Sequence, residues 1–279
     1  MKFAKYWEKQ DVNVDEQQFG QPIISVWGGS NTSSEDADHN AQKRVASLNA
    51  FMASDFTEKG DYEYWVGFVR EELLEEVKAP DDTVLAVLTR NHYGALVLNT
   101  DVALFGDIDV TPPSFIERFL EKFGKTKKDK SYYLKKIEAY QAAHPDLSFR
   151  VYETHSGIRF IETSRVINSQ DPIVTSLFKD LNVDHLYQHL CHRQACFRAR
   201  LSPKPWRIGM ARPASRFPRC NENEMTAFRL WLSGYEKASQ GTTVVKHLAS
   251  FGARRADATV QRVIELHDRH ACLRSGTLA

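Results

Sequence analysis

The chain has 279 residues, with 42% hydrophobic and 26% charged content, a formal net charge of +1 and four cysteines. This excludes a disordered, collagenous or disulfide-stapled chain, and the near-zero net charge gives no global preference for polyanions. No apolar run reaches the roughly 18 residues of a membrane span and the opening MKFAKYWEKQ is too polar for a secretory leader, so a cytoplasmic protein without a membrane partner is expected.

Local charge is more informative. Residues 1–82 carry 17 acidic and 8 basic side chains. Between His185 and Asn221 there is no acid, while Arg193, Arg198, Arg200, Lys204, Arg207, Arg212, Arg216 and Arg219 follow one another. A basic run without internal counter-charge needs an anion, either from elsewhere in the chain or from a ligand.

In chain order, residues 1–37 read as irregular apart from a short strand over 23–27. Ser34-Glu35-Asp36 then has the composition of a cap and first turn, opening a helix to about Met52 with Ala41, Val45, Leu48 and Phe51 on one face. An aromatic-rich strand is predicted over 61–69, and a short charged helix over 71–78 that Pro80 stops. Three apolar runs, 84–89, 95–98 and 102–109, separated by turn-forming residues, predict an antiparallel meander. Helices are expected over 114–123 and 132–143, joined by a lysine-rich link. A hairpin follows, 149–153 and 158–163, with Thr154-His-Ser-Gly157 as its turn. Asp171-Pro172 and Asp184 start two further helices, 196–201 is a strand, and Pro203-Lys-Pro-Trp206 is a rigid bend. The remainder reads as helical, over 222–239 and 259–268. The expected fold class is α+β: a mainly antiparallel, palm-like (RRM-like) central sheet flanked by helices, with a helical C-terminal cap. Its expected divisions are an acidic α/β region over 1–82, a core over 83–210 and a helical region over 211–279, all parts of one compact unit.

Candidate chemistry centres on Leu104-Phe-Gly-Asp-Ile-Asp-Val110. Side chains alternate along a strand, so Asp107 and Asp109 share a face while Ile108 points into a core. Two such carboxylates repel unless a cation lies between them, and Mg²⁺ or Mn²⁺ takes oxygen ligands of this kind. Removing either charge is therefore expected to relieve repulsion and leave the fold intact. A solvated Asp pair before the Thr-Pro-Pro turn is the plain alternative. The second candidate is Phe197-Arg-Ala-Arg-Leu-Ser-Pro-Lys-Pro-Trp-Arg207, where Arg198 and Arg200 share a strand face and Lys204 is held between prolines. With Arg207 these suit phosphate, and Trp206 suits a stacked base; internal pairing with the acidic N-terminal region, with Trp206 in a core, is the alternative. His267-Asp268 resembles the His-Asp pair of metal phosphohydrolases, but without upstream histidines it reads as a helix end.

Phe105-Gly-Asp-Ile-Asp109 and Thr154-His-Ser-Gly-Ile-Arg-Phe160 together resemble the palm of the archaeo-eukaryotic primase superfamily, over about residues 84–209. The resemblance implies catalytic metals on Asp107 and Asp109, and a basic hairpin residue, Arg159, that meets a nucleotide triphosphate. It also implies a third carboxylate on a later strand, with Glu153 and Glu162 as candidates. The family has a His a few residues past the glycine; this chain has Ile158 and Arg159 there, with His155 before the glycine. Thr89-Arg-Asn-His-Tyr-Gly94, which contains Arg90 and Asn91, and the Arg198–Arg207 stretch are similar to segments of a bacterial protein family. The expected function is divalent-metal-dependent nucleotidyl transfer on a nucleotide or nucleic acid. Two rivals are a non-catalytic nucleic-acid-binding accessory and a protein-interaction module with paired acidic and basic surfaces.

Overall fold

A computed structural model describes residues 1–52, 67–110, 127–253, 255–273 and 275–279, less the Phe51 side chain. The helix expected over 114–123 and most of the strand expected over 61–69 lie outside the described residues. The chain is α+β and divides into two compact units, residues 2–73 and residues 74–279 with Met1.

The smaller unit is built on an antiparallel pair, β1 (Tyr6–Asn13) and β2 (Ile23–Ser30), joined through a single turn of helix, α1 (Glu16–Phe19). The irregular reading of residues 1–37 is thus corrected. β1 has no buried position, so the apolar alternation that would have marked it is missing. The long helix α2 (Ser34–Met52) packs against both strands. Contact is close because Gly28 faces Ala37 and Ala41; a Cβ on Gly28 would come within 2.0 Å of the Ala37 carbonyl oxygen.

The larger unit contains two four-stranded sheets. The first comprises β3 (Glu72–Lys78), β4 (Val84–Arg90), β5 (Leu96–Thr100) and, entering last in the chain, a strand over Phe197–Arg200. β3 replaces the helix expected over 71–78. Its Glu, Leu and Lys residues favour helix locally, but pairing along β4 decides the outcome, and its charges suit an exposed sheet edge. β6 (Phe105–Asp109) does not complete a meander on β5. It joins the second sheet, which holds β7 (Phe149–Thr154), β8 (Gly157–Glu162) and a C-terminal strand over Val245–Phe251. The Phe197–Arg200 strand, β9, takes the expected place of β6 beside β5.

Between β6 and β7 runs α3 (Lys130–Ala143), capped by Asp129; β8 then inserts between the two strands it follows. One face of this sheet is apolar: Ile108, Phe149, Val151, Ile158 and Phe160 are buried on it, and α3 packs over β7 and β8. Gly106 is needed here, since a Cβ would come within 2.2 Å of the Phe160 ring opposite. Two capped helices, α4 (Pro172–Leu181) and α5 (His185–Gln194), lead into β9. α4 buries Val174, Leu177, Phe178 and Leu181, the spacing of one helix face. The Tyr187 hydroxyl lies 3.1 Å from both the Phe105 and Arg198 carbonyl oxygens and so ties β6 to β9. After a 3₁₀ turn over Pro205–Ile208 come α6 (Glu222–Ser239), β10 (Thr242–Thr243), β11 (Val245–Phe251), α7 (Ala258–Ala271) and β12 (Thr277–Leu278). The C-terminal region is therefore not only helical: β11 pairs with β7 and forms an edge of the second sheet.

Candidate functional site

The polar face of the second sheet carries a row of directly opposed residues, Asp107 on β6, Arg159 on β8, Tyr152 on β7 and His247 on β11. The period-two argument holds for β6, with Ile108 buried and Asp107 partly open. Asp107 is not free. The Arg159 guanidinium donates from Nε to Oδ1 at 2.7 Å and from Nη2 to Oδ2 at 2.9 Å, a fork on a carboxylate. Its Nη1 lies 3.1 Å from the Arg200 carbonyl oxygen and 3.3 Å from His267 Nε2. Arg159 is only 3% exposed. The structure thus places Arg159 as the internal partner of Asp107, and not as an open phosphate clamp.

Asp109, at the strand end, is exposed and has no hydrogen-bond partner among the described residues. Its carboxyl is held above the ordinary range, first by the protein crowding it, then by the negative charges of Asp107 and Asp184; Lys204 and Arg207 oppose the rise. Asp184 therefore stands near the pair. Its backbone N–H donates to the Asp107 carbonyl oxygen at 3.2 Å, and its carboxylate caps α5 through the Tyr187 N–H. The sequence marked Asp184 only as a cap. Neither expected third carboxylate joins Asp107 and Asp109: Glu153 accepts from Lys130 at 2.8 Å, and Glu162 is fully buried and accepts from the Ser148 and Ser164 N–H groups.

The 154–157 turn sits against the end of β6. Val110 N–H donates to the Ser156 carbonyl oxygen, and a Cβ on Gly157 would come within 1.9 Å of the Ile108 carbonyl oxygen. Arg207 donates to Ser156 Oγ at 2.8 Å, and Lys130 Nζ to the Thr154 carbonyl oxygen at 2.8 Å. This brings the turn and the basic segment together. His155, exposed on the turn, is held below its ordinary value by partial burial and then by Arg207, Lys130, Arg200 and Lys204. Arg200 is lowered to about 10, first by burial and next by its cationic neighbours Arg159 and Arg207. Lys204 is lowered by burial, Arg200, Arg207 and Arg212, with Asp109 the opposing charge. Arg198, by contrast, donates to Gln194 Oε1 within its own segment, so the two strand arginines separate in role.

Trp206 is 45% exposed, which excludes the core alternative for it. Tyr93 meets its ring edge-on at 5.3 Å between centroids, and the cations of Arg212 and Lys204 lie 4.8 and 5.5 Å from its centre. Arg90 and Asn91 shape the turn that presents Tyr93: Arg90 donates to the Gly94 carbonyl oxygen, and Asn91 Oδ1 accepts from Tyr93 and Ala95 N–H. Among the described residues, no group of three or more His, Cys, Asp or Glu side chains is placed to hold a metal ion. No helix among them is long and apolar enough to cross a membrane. The chain matches no family model, no curated protein and no solved structure.

Proposed function

We propose that this protein binds a phosphate-bearing ligand, a nucleotide or nucleic acid, where the 154–157 turn meets the basic segment. Arg200, Lys204 and Arg207 supply the positive charge, His155 flanks them, and Trp206 offers an aromatic surface for a base. The observation that carries this reading is the meeting of the turn with the cations: Arg207 donates to Ser156 Oγ at 2.8 Å, the Lys204 and Arg212 cations lie 5.5 and 4.8 Å from the centre of the exposed Trp206 ring, and Arg200 and Lys204 are lowered first by burial and next by their basic neighbours, with Asp109 the opposing carboxylate at Lys204 and Arg207. Cations held against their own repulsion gain when an anion arrives.

The experiment is oligonucleotide binding across a salt series. Neutralising Lys204 and Arg207 is expected to weaken binding uniformly across sequences and to flatten the slope of log K against log salt by about 0.7–0.9 per lost contact. Trp206→Ala is expected to cost about 1–3 kcal/mol of binding with the slope unchanged, the mark of a stacked base. Charge variants that keep both affinity and slope would overturn the reading.

A second reading keeps the nucleotidyl-transfer chemistry. It is favoured by one observation, the raised carboxyl of Asp109 beside Asp107 and Asp184. Mg²⁺ or Mn²⁺ at Asp109 would relieve that repulsion and supply Lewis-acid stabilisation of a phosphoryl oxygen. Asp107 retains lone pairs beyond those the Arg159 fork uses, so it too suits such an ion. A non-catalytic nucleic-acid-binding accessory needs only the cationic cluster.

A further inference from the structure

The polar face of the second sheet is covered by α7, and the contact is a continuous hydrogen-bonded chain. Asp268 accepts from Arg150 Nη2 at 2.8 Å on Oδ2, and from the Tyr152 hydroxyl at 2.7 Å on Oδ1. His267 Nδ1 lies 2.9 Å from the same Oδ1, and its Nε2 faces Arg159 Nη1 at 3.3 Å. His267 is fully buried between the Phe105 and Tyr152 rings, at centroid distances of 5.4 and 5.0 Å. Arg159 then forks onto Asp107.

The chemistry fixes every proton in this chain. A guanidinium donates and never accepts, so His267 Nε2 must offer its lone pair to Arg159. Nδ1 then carries the hydrogen and donates to Asp268. The imidazole is neutral, and the four charges, two arginines and two aspartates, cancel. Beyond the chain lies the cationic cluster, and Asp107 is within electrostatic reach of Arg200. An Asp107 released from Arg159 would be free to turn toward those cations and quench them.

We infer that His267 and Asp268 are positioning residues for the anion site: they aim the Arg159 guanidinium, and Arg159 keeps Asp107 off the cations that meet the ligand. The inference rests on the phosphate-binding reading. It gives a burial at the far end of α7 a consequence at the site.

Asp268→Asn tests it. The amide oxygen must face Arg150, which cannot accept, so the NH₂ group turns toward Tyr152 and His267. Nδ1 then becomes the acceptor and Nε2 takes the hydrogen, which sets N–H against N–H at Arg159. Long-range ¹H–¹⁵N correlation on the full chain reads the tautomer directly. The wild type is expected to show neutral His267 protonated on Nδ1. The variant is expected to show Nε2–H and an affinity for a fluorescent single-stranded oligonucleotide lowered roughly five- to tenfold, the worth of about one hydrogen bond. A purely structural role would lower the melting temperature and leave the affinity of the folded protein unchanged, and that result overturns the inference. So does a wild-type His267 that is cationic or protonated on Nε2, a measurement that needs no variant to fold. A wild type that binds no oligonucleotide overturns the phosphate reading itself, whereas one that binds with the other tautomer overturns only the role of α7.

Discussion

Asp107→Asn and Asp109→Asn are expected to move stability in opposite directions, although the residues are two apart on one strand. The sequence alone treats them as a repelling pair, so that either substitution should be tolerated. The structure breaks the symmetry. Asp107 is the counter-charge of a guanidinium that is 3% exposed, and its own side chain is 32% exposed. Breaking a buried pair by removing one partner costs about 3–5 kcal/mol, because the remaining charge stays buried and unpaired. Partial solvent access at Asp107 puts the expectation at the lower end, about 3 kcal/mol, or roughly 6–12 °C in melting temperature at about 2–4 °C per kcal/mol. Among the described residues the Asp109 side chain has no hydrogen-bonded partner to strand, and its ionised form is disfavoured in the folded state. Asp109→Asn is therefore expected to leave stability unchanged or raise it at neutral pH. Thermal melts and urea titrations of both variants at pH 7 decide the matter. Equal losses, or an Asp107→Asn variant within about 0.5 kcal/mol of wild type, the range of ordinary surface substitutions, would refute the fork as the main interaction of Asp107.

Two further outcomes follow from the same geometry. If a divalent ion is held at the carboxylates, saturating Mn²⁺ is expected to raise the melting temperature of the wild type and to leave Asp109→Asn unmoved; a wild type indifferent to Mn²⁺ removes the nucleotidyl-transfer reading. Burial and then Arg159 hold His267 below its ordinary value of 6.5 while Asp268 pulls the other way, so the unfolded chain binds that proton more readily and stability falls as pH drops below about 6.5. His267→Gln is expected to flatten the stability profile below about pH 6.5 relative to wild type, and parallel profiles would contradict a buried neutral imidazole.

Much of the site was legible because its parts are local. Period-two alternation gave the shared face of Asp107 and Asp109, and the hairpin turn and the acid-free stretch could be read from composition alone. Asp171 and Asp184 announce helix starts by their capping chemistry, and each caps as expected, whereas the Asp129 cap, inside what reads as a lysine-rich link, is seen only in the structure. What the sequence could not give were partners separated by long stretches of chain. Arg159 meets Asp107 across 52 positions and His267 across 108. Nothing near Arg159 distinguishes a guanidinium aimed at a ligand from one aimed inward. The exchange of β6 for β9 beside β5 is of the same kind, since both are short strands that alternate apolar with charged residues and only the three-dimensional pairing separates them. Asp184 shows a different limit: its capping role was a sufficient local explanation and concealed its place beside the other two carboxylates.

The charge on the polar face of the second sheet argues for where a ligand would bind. Inside the sheet and α7, Arg150 is matched by Asp268 and Arg159 by Asp107, with a neutral imidazole between them. Burial compels that balance, because an unpaired charge there would cost several kcal/mol. Outside it, Lys204 and Arg207, with Arg200 behind them, stand against Asp109, whose own ionisation is suppressed first by the protein crowding it and then by its acidic neighbours. That imbalance is affordable only where water or an anion reaches it, and it occurs where the strand ends, the turn and the exposed Trp206 come together. The buried network and the open cluster share one residue, Asp107, which lies in the first by hydrogen bond and near the second by charge. A substitution that weakens its hold on Arg159 therefore shifts charge from one to the other, so affinity at the surface is expected to depend on residues that no ligand touches.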